Sequence, residues 1–341
     1  MEMEIGRTHM PGESVRILVT TPVGEACLRQ IAAVSHRVKV VDVSDLLCAE
    51  RKGDSAARNE LNLLLADTEV IFGLDLPHDL AGRTPGLKWV QVLSAGVDHL
   101  MAEDILKSPA IMTNIKGMSA TPIAEFVFGV ALMLVKQLPL CLQLKQAKQW
   151  QKFRTSTLLS KTMGIIGLGS IGREVARLAK AFGMKVIAIR RVTEQTTHAE
   201  NVDIMLPGDQ LHRLLAESDF VVLSVPLTPE TNGLIGEKEL RTMQSTAYLV
   251  NIARGDVVDE EALSRALEEG WIAGAGLDVF ATEPLPADSR LWALPNVILS
   301  PHVSGDIECE YELATELFAE NLKRYLNGDR LFNVVDKKRG Y

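Results

Sequence analysis

Short runs of apolar residues recur along this chain, separated by stretches whose apolar positions follow a helical period. Runs without polar alternation predict strands buried on both faces, and hence parallel sheets covered by helices. They fall into two sets. The first predicts strands at Val15–Thr21, Val38–Val43, Glu69–Phe72 and Leu87–Leu93, with helices near Glu25–Val34 and across Ala56–Ala66. The second predicts six strands, at Met163–Ile166, Lys185–Ile189, Phe220–Val225, Ala247–Asn251, Ala275–Asp278 and Val297–Leu299. Six is the number in a full doubly wound dinucleotide-binding sheet. Between the sets, Ala120–Lys136 reads as a long helix, with Ser119 or Thr121 as its cap and Pro122 in its first turn. Beyond the last strand, Tyr311–Asn327 is amphipathic, with Leu313, Leu317, Leu322 and Tyr325 near helical spacing. That helix has no place in the second sheet and is expected to return to the first. The pattern predicts two doubly wound α/β domains: a discontinuous one from residues 1–118 and 303–341, and one inserted in it at 119–302, with a cleft between them.

A chain of 341 residues is long enough for two such cores. Its 47% hydrophobic and 23% charged content fits an ordinary globular protein, and a net charge of −8 argues against nucleic acid as a partner. The apolar run Phe126–Val135 is roughly half the length of a spanning helix and is bordered by Glu125, so it predicts a buried helix and no membrane association. Met1–Glu13 has no apolar signal-peptide core, and Cys27, Cys48, Cys141 and Cys309 lie far apart with no zinc or disulfide spacing. The expected setting is the cytoplasm, and no metal is expected.

The densest chemical signal is Met163-Gly-Ile-Ile-Gly-Leu-Gly-Ser-Ile-Gly172, which lies between a predicted strand and a predicted helix. In a dinucleotide fingerprint Gly167 makes the tight turn, Gly169 lets backbone approach a pyrophosphate, and Gly172 lets helix pack on strand. The pyrophosphate would sit on the helix N-terminus. At the end of the next strand, where an acidic residue would accept from a ribose 2′-hydroxyl, the chain carries Arg190 and Arg191. Two guanidinium groups suit a 2′-phosphate, so NADP is expected over NAD, with NAD possible. Thr193 could add a hydroxyl contact and Glu194 could oppose one.

Three further segments complete the pattern: Asn251-Ile-Ala-Arg-Gly-Asp-Val-Val-Asp-Glu260, Gly276-Leu-Asp-Val-Phe-Ala-Thr-Glu-Pro-Leu285 and Ser300-Pro-His-Val-Ser-Gly305. With the glycine loop they resemble the D-isomer-specific 2-hydroxyacid dehydrogenases, closely from about Leu87 onward and more loosely before it. The resemblance implies a Rossmann domain inserted in a flavodoxin-like substrate domain. It implies hydride transfer between a nicotinamide and a small 2-keto acid, of the glyoxylate or hydroxypyruvate reductase kind. Arg254 resembles the clamp on the substrate carboxylate and carbonyl, a task suited to a planar guanidinium fork. His302 resembles the general acid, since imidazole exchanges protons near neutral pH. Glu283, nineteen residues before it, resembles the carboxylate that orients the ring and favours imidazolium. Formate dehydrogenases of the superfamily carry glutamine there.

For the cofactor, the resemblance implies Ser170 and Ile171 on the pyrophosphate, and Ile252, Ala253, Arg254, Asp278, His302 and Gly305 near the nicotinamide, with Asp278 on its carboxamide. Ile123 would be an apolar contact to the ring, and Pro226–Thr231 would border the adenosine. Ala95, Gly96 and Val97, in the loop that starts at Ser94, resemble the backbone that holds the substrate carboxylate together with Arg254 and His302. The long helix suits a homodimer interface, and His99 is read as packing. Two positions depart from the family pattern: Ser160 stands where glycine is common, with little expected effect, and Ile307 where threonine is common. The competing readings are a dinucleotide-sensing corepressor-like protein, and a phosphite or phosphoglycerate dehydrogenase on the same fold.

Overall fold

The computed structural model describes residues 14–97, 100, 105, 108–190 and 198–337. Arg191, Thr193, Glu194, His99 and the N-terminal residues 1–13, all considered above, lie outside the described residues. The chain divides into two compact units, Met1–Met118 with Ile307–Tyr341 and Ser119–Asp306, so the return to the first unit falls after Asp306 rather than after His302.

The first unit is built on β1 (Val15–Val19), α1 (Glu25–Ala32), β2 (Val38–Asp42), α2 (Ser44–Arg51), α3 (Ser55–Ala66), β3 (Val70–Gly73), α4 (Leu80–Arg83), β4 (Trp89–Val92) and β5 (Ile111–Thr113). Its sheet is parallel in the order β2-β1-β3-β4-β5, the flavodoxin-like order. β3 and β4 are buried at every position, whereas the edge strand β2 is half-buried at its three valines and exposed at Lys39 and Asp42. Continuous apolar runs therefore mark the central strands. α2, the one-turn α4 and the three-residue β5 carry no expectation from the sequence.

The second unit opens with α5 (Ala120–Val135) and α6 (Leu138–Gln146). Its sheet elements are β6 (Thr162–Ile166), α7 (Ser170–Ala181), β7 (Lys185–Ile189), β8 (Ile204–Leu206), α8 (Leu211–Glu217), β9 (Phe220–Leu223), α9 (Glu237–Thr242), β10 (Tyr248–Asn251), α10 (Glu260–Glu268), β11 (Gly274–Leu277) and β12 (Val297–Leu299). The sheet is parallel throughout, in the order β12-β11-β10-β9-β6-β7-β8. It contains the doubly wound Rossmann order, whose direction reverses between β6 and β9. It has seven strands rather than the six expected; the addition is the three-residue edge strand β8. α5 lies on this sheet so closely that a Cβ on Gly276 of β11 would strike the Val130 side chain. Ser119 occupies its cap position without a side-chain capping bond, and the Thr121 hydroxyl instead donates to Glu174 Oε1 at 3.4 Å. No single described helix is long and apolar enough to cross a membrane.

The chain ends with α11 (Glu310–Asn327), which packs in the first unit. Phe318 stacks on Phe72 and Trp89, with ring centroids 4.3 and 4.9 Å away. The Tyr325 hydroxyl donates to Glu69 Oε1 at 2.6 Å, and burial, reinforced by that acceptor, raises the phenol far above its ordinary range. These contacts account for the amphipathic stripe on the last helix.

Ser160, just before β6, has φ +63°. The left-handed region costs a side-chain-bearing residue about 1–2 kcal/mol that glycine does not incur, so the departure is less innocuous than its sequence context suggests. Part of the gain from glycine is offset by its freer unfolded chain. Ser160→Gly is expected to stabilise the protein by about 1 kcal/mol, or roughly 2–4 °C in Tm for a unit of this size. Calorimetry showing no gain would mean the serine relieves its own strain.

Candidate active site

The C-terminal ends of the second unit's strands gather the residues singled out in the sequence. β6 runs into the glycine loop. Gly167 has φ +103°, and a Cβ there would lie 2.5 Å from the Ser224 carbonyl oxygen, so the turn admits no side chain. A Cβ on Gly172 would strike the Gly167 carbonyl, so α7 rests directly on the turn. Gly169 differs: a Cβ there would meet no protein atom within 4 Å. No packing within the protein demands glycine at that position, which adjoins the N-terminus of α7, where no side chain caps the helix amides. An open cradle at uncapped amides suits an anionic group brought against the backbone. Ser170 and Ile171 supply the first residues of that helix. The Ser224 hydroxyl, not anticipated from sequence, donates to the Gly167 carbonyl at 2.6 Å and braces the turn.

Arg190 follows β7 and is half-buried; among the described residues no hydrogen-bond acceptor engages its guanidinium. On the opposite side of the switch point, Thr231 Oγ1 donates to the Pro226 carbonyl at 2.7 Å, which shapes the 226–231 loop.

Three neighbouring strands deliver the proposed reacting groups. β10 pairs with β11 (Asn251 beside Leu277) and β11 with β12 (Leu277 beside Leu299), so the segments that follow them leave the sheet side by side. After β10, the Asn251 carboxamide accepts from Ala253 N at 3.0 Å and donates to the Arg254 carbonyl at 3.0 Å. These bonds lock the Ile252-Ala253-Arg254 turn, with Ile252 and Ala253 buried. Arg254 is half-buried, and its Nη1 donates to the Ala253 carbonyl at 2.8 Å. A Cβ on Gly255 would collide with the Phe280 backbone, so the turn after β10 and the segment after β11 touch.

Along that second segment, Glu283 Oε1 accepts from Phe280 N at 3.0 Å, while Oε2 lies 2.8 Å from His302 Nδ1. Opposite an ionised carboxylate, which only accepts, Nδ1 is the donor of this bond, and Nε2 is the nitrogen it leaves unengaged. The pair is partly exposed, at 45% for the His302 side chain and 38% for that of Glu283.

His302 has φ +57°, a conformation that needs support from its surroundings. Asp278 supplies it. Its carboxylate, 1% exposed, accepts from the Ser300 hydroxyl at 2.5 Å, from Val303 N at 2.9 Å and from Ser304 N at 3.1 Å. Beside the place on the nicotinamide carboxamide expected for Asp278, its carboxylate holds both sides of the histidine loop, a bonding set that depends on tertiary contacts and leaves no mark in the motif. Hydrogen bonds to a charged acceptor contribute about 1.5–3 kcal/mol. Asp278→Asn turns one acceptor oxygen into a donor facing the Ser304 amide. It is expected to lower Tm by roughly 3–10 °C and kcat about tenfold. Unchanged Tm and turnover would show that the loop holds itself.

A Cβ on Gly305 would lie 3.3 Å from Ser119 Cβ and 3.5 Å from Ile123 Cδ1, so these residues adjoin. In the first unit, Ser94 Oγ donates to the Gly96 carbonyl at 2.7 Å and Asn114 Nδ2 to the Ala95 carbonyl at 2.7 Å. Ala95 is exposed and Gly96 half-buried, while the Val97 side chain belongs to the core, which leaves this loop its backbone to offer a ligand.

Residues 128–304 match the model of the D-isomer specific 2-hydroxyacid dehydrogenase, NAD binding domain. The chain belongs to the D-isomer specific 2-hydroxyacid dehydrogenase family. It is 40% identical to the glyoxylate reductase of Thermococcus gammatolerans over 265 residues, covering 75% of this chain and 78% of that one. It is 33% identical to the D-3-phosphoglycerate dehydrogenase of Methanocaldococcus jannaschii over 328 residues, covering 94% of this chain and 59% of that one. Among solved structures, it is similar to the NADPH-dependent glyoxylate/hydroxypyruvate reductase of Sinorhizobium meliloti in complex with NADP and sulfate. That match has 26% identity and a TM-score of 0.81, and covers 96% of this chain and all of that one. A family member with this site is an NAD(P)-dependent oxidoreductase.

Proposed function

We propose that the protein reduces a small 2-keto acid, of the glyoxylate or hydroxypyruvate kind, to the D-2-hydroxy acid with NADPH as the preferred donor. The observation that carries this reading is the His302–Glu283 pair at 2.8 Å, beside the Arg254 turn and on the same sheet edge as an uncapped glycine-loop helix. Bound dinucleotide supplies a hydride to the carbonyl carbon. The protein's own residues do the rest. The amides that open α7 and the bare backbone at Gly169 hold the pyrophosphate, and Arg190 holds the 2′-phosphate. Arg254 grips the carboxylate and polarises the carbonyl through its planar fork. His302 Nε2 passes a proton to the carbonyl oxygen as charge develops there, and Glu283 stabilises the imidazolium before and the Nδ1–H tautomer after. Backbone of Ala95, Gly96 and Val97 completes the carboxylate site. The glyoxylate reductases and the NADP complex among the relatives support this reading.

Similarity along 94% of the chain to a phosphoglycerate dehydrogenase favours a second reading, oxidation of a phosphorylated hydroxy acid. Steady-state turnover of glyoxylate, hydroxypyruvate and 3-phosphohydroxypyruvate with NADPH and NADH decides between them. A kcat/KM at least tenfold higher for the unphosphorylated acids supports the proposal, and the reverse order rejects it. No turnover with any keto acid, alongside tight dinucleotide binding, would support a corepressor-like sensor. Arg254→Lys is expected to raise KM and lower kcat together, about tenfold each, because an ammonium cannot form the two-pronged contact. Wild-type kinetics in that variant would make the arginine structural.

We infer a cytoplasmic homodimer held through α6 and the segment after it rather than through α5. α5 buries eight of its residues in its own unit. α6 buries none, and Leu138, Leu142 and Trp150 are 41%, 54% and 94% exposed. Exposed large apolar side chains brought together in this way, Leu138 and Leu142 one turn apart on α6 and Trp150 in the segment after it, suit an association surface. Leu142→Glu with Trp150→Glu is expected to shift the light-scattering mass from dimer to monomer; an unchanged mass would place the interface elsewhere.

A further inference from the structure

A cavity of about 520 Å³ lies in the first unit, bounded by the end of β5 on one side and the chain after α11 on the other. Its lining includes Lys116, Arg324 and Arg330 and no acidic residue, a concentration of cations on a protein whose net charge is −8. Lys116 and Arg330 are exposed, and no hydrogen bond or ion pair engages either side chain among the described residues. Arg324 is held in place: its guanidinium lies over the Phe332 ring, 3.7 Å from the centroid, and its Nε is 3.4 Å from Glu320 Oε1. One fixed and two extendable cations thus surround a concave floor.

The floor itself is rigid and polar. Asn333, at φ +54°, donates from Nδ2 to the carbonyls of Asn114 at 3.2 Å and Lys116 at 2.8 Å, and its own carbonyl accepts from Asn114 N at 3.2 Å. Asn114, 2% exposed, reaches the other way and donates to the Ala95 carbonyl at 2.7 Å. A continuous chain of hydrogen bonds therefore runs from the cavity floor to the loop at residues 94–97.

We propose that this cavity binds a small dianion, a phosphate ester or a dicarboxylate, at a site separate from the keto-acid site, and that occupancy biases the 94–97 loop through Asn333 and Asn114. The class follows from the lining: with Arg324 already paired to Glu320, Lys116 and Arg330 leave two charges, which a dianion matches and a monocarboxylate does not. The effect on the loop rests on the carboxylate-binding role proposed above; the binding itself does not.

The test is isothermal calorimetry at low ionic strength on the NADP-saturated protein, with inorganic phosphate and malonate as separate probes. Wild type is compared with Lys116→Glu/Arg330→Glu, neither residue having a part in the proposed reaction. The expected result is measurable binding of at least one probe by wild type, weakened tenfold or more in the double variant. Binding of phosphate alone assigns a phosphate ester, and of malonate alone a dicarboxylate. Equal affinity in both proteins, or no binding by wild type, overturns the site. In a parallel assay, the favoured probe should shift KM for the keto acid at least twofold in wild type and not in the variant. An unmoved KM with intact binding would remove the coupling and leave the site.

Discussion

Replacing His302 with glutamine is expected to lower kcat by roughly 10²–10⁴-fold while dinucleotide affinity stays near wild type, the range that positioned proton transfer contributes. Glutamine can still accept and donate near Glu283, so the substitution removes the exchangeable proton with little change in shape. The separation of effects follows from the architecture. His302 leaves the sheet after β12 and is held by Glu283 and the Asp278 clamp, whereas the pyrophosphate site proposed above is the Gly167–Gly169 turn after β6, on which Gly172 of α7 packs. Glu283→Gln should act through the same ring and more mildly, because a neutral amide still orients Nδ1 but stabilises imidazolium less. Stopped-flow reduction of a keto acid and fluorescence titration of NADPH separate the two steps. Wild-type turnover in His302→Gln would remove the histidine from proton transfer. Loss of NADPH binding in the same variant would instead mean that the loop, strained at φ +57°, collapses without its imidazole.

Much of this site is legible in the sequence because the fold converts linear order into adjacency. Parallel strands joined by crossovers place each strand's C-terminal end at one edge, so the segments that follow β10, β11 and β12 meet although Arg254 and His302 lie far apart in the chain. A reader who finds the strands finds the site. What the sequence hides are the braces. Asn251, Ser224 and Asp278 are short polar residues at strand ends, a place where turns and caps also put them. Only the folded loop shows the Asp278 carboxylate holding the backbone on both sides of the histidine. Short elements escape as well: the three-residue strands β5 and β8 offer no period to read. α6 breaks the usual rule, being apolar in part yet buried nowhere in its own chain.

The NADP preference proposed above rests on the chemistry at the end of β7. The 2′-phosphate of NADP carries charge where NAD has a hydroxyl, so the residue after the strand decides which is favoured. Arg190 is half-buried, and no protein acceptor engages its guanidinium among the described residues. A charge-assisted bond to phosphate contributes on the order of 1.5–3 kcal/mol, or roughly 10- to 150-fold in affinity. Arg190→Asp removes that attraction, adds repulsion, and installs a carboxylate that can accept from a ribose 2′-hydroxyl. The ratio of kcat/KM for NADPH to that for NADH is therefore expected to exceed one in wild type and to fall about a hundredfold in the variant. Most of the change should lie in KM, because the adenosine end binds ground and transition states alike. Raising salt should narrow the wild-type ratio, since an ion pair with access to solvent is screened in part, and leave the aspartate variant's NADH kinetics little altered. A wild-type enzyme that favours NADH, or a ratio that does not move on substitution, would transfer the selection to other residues bordering the adenosine.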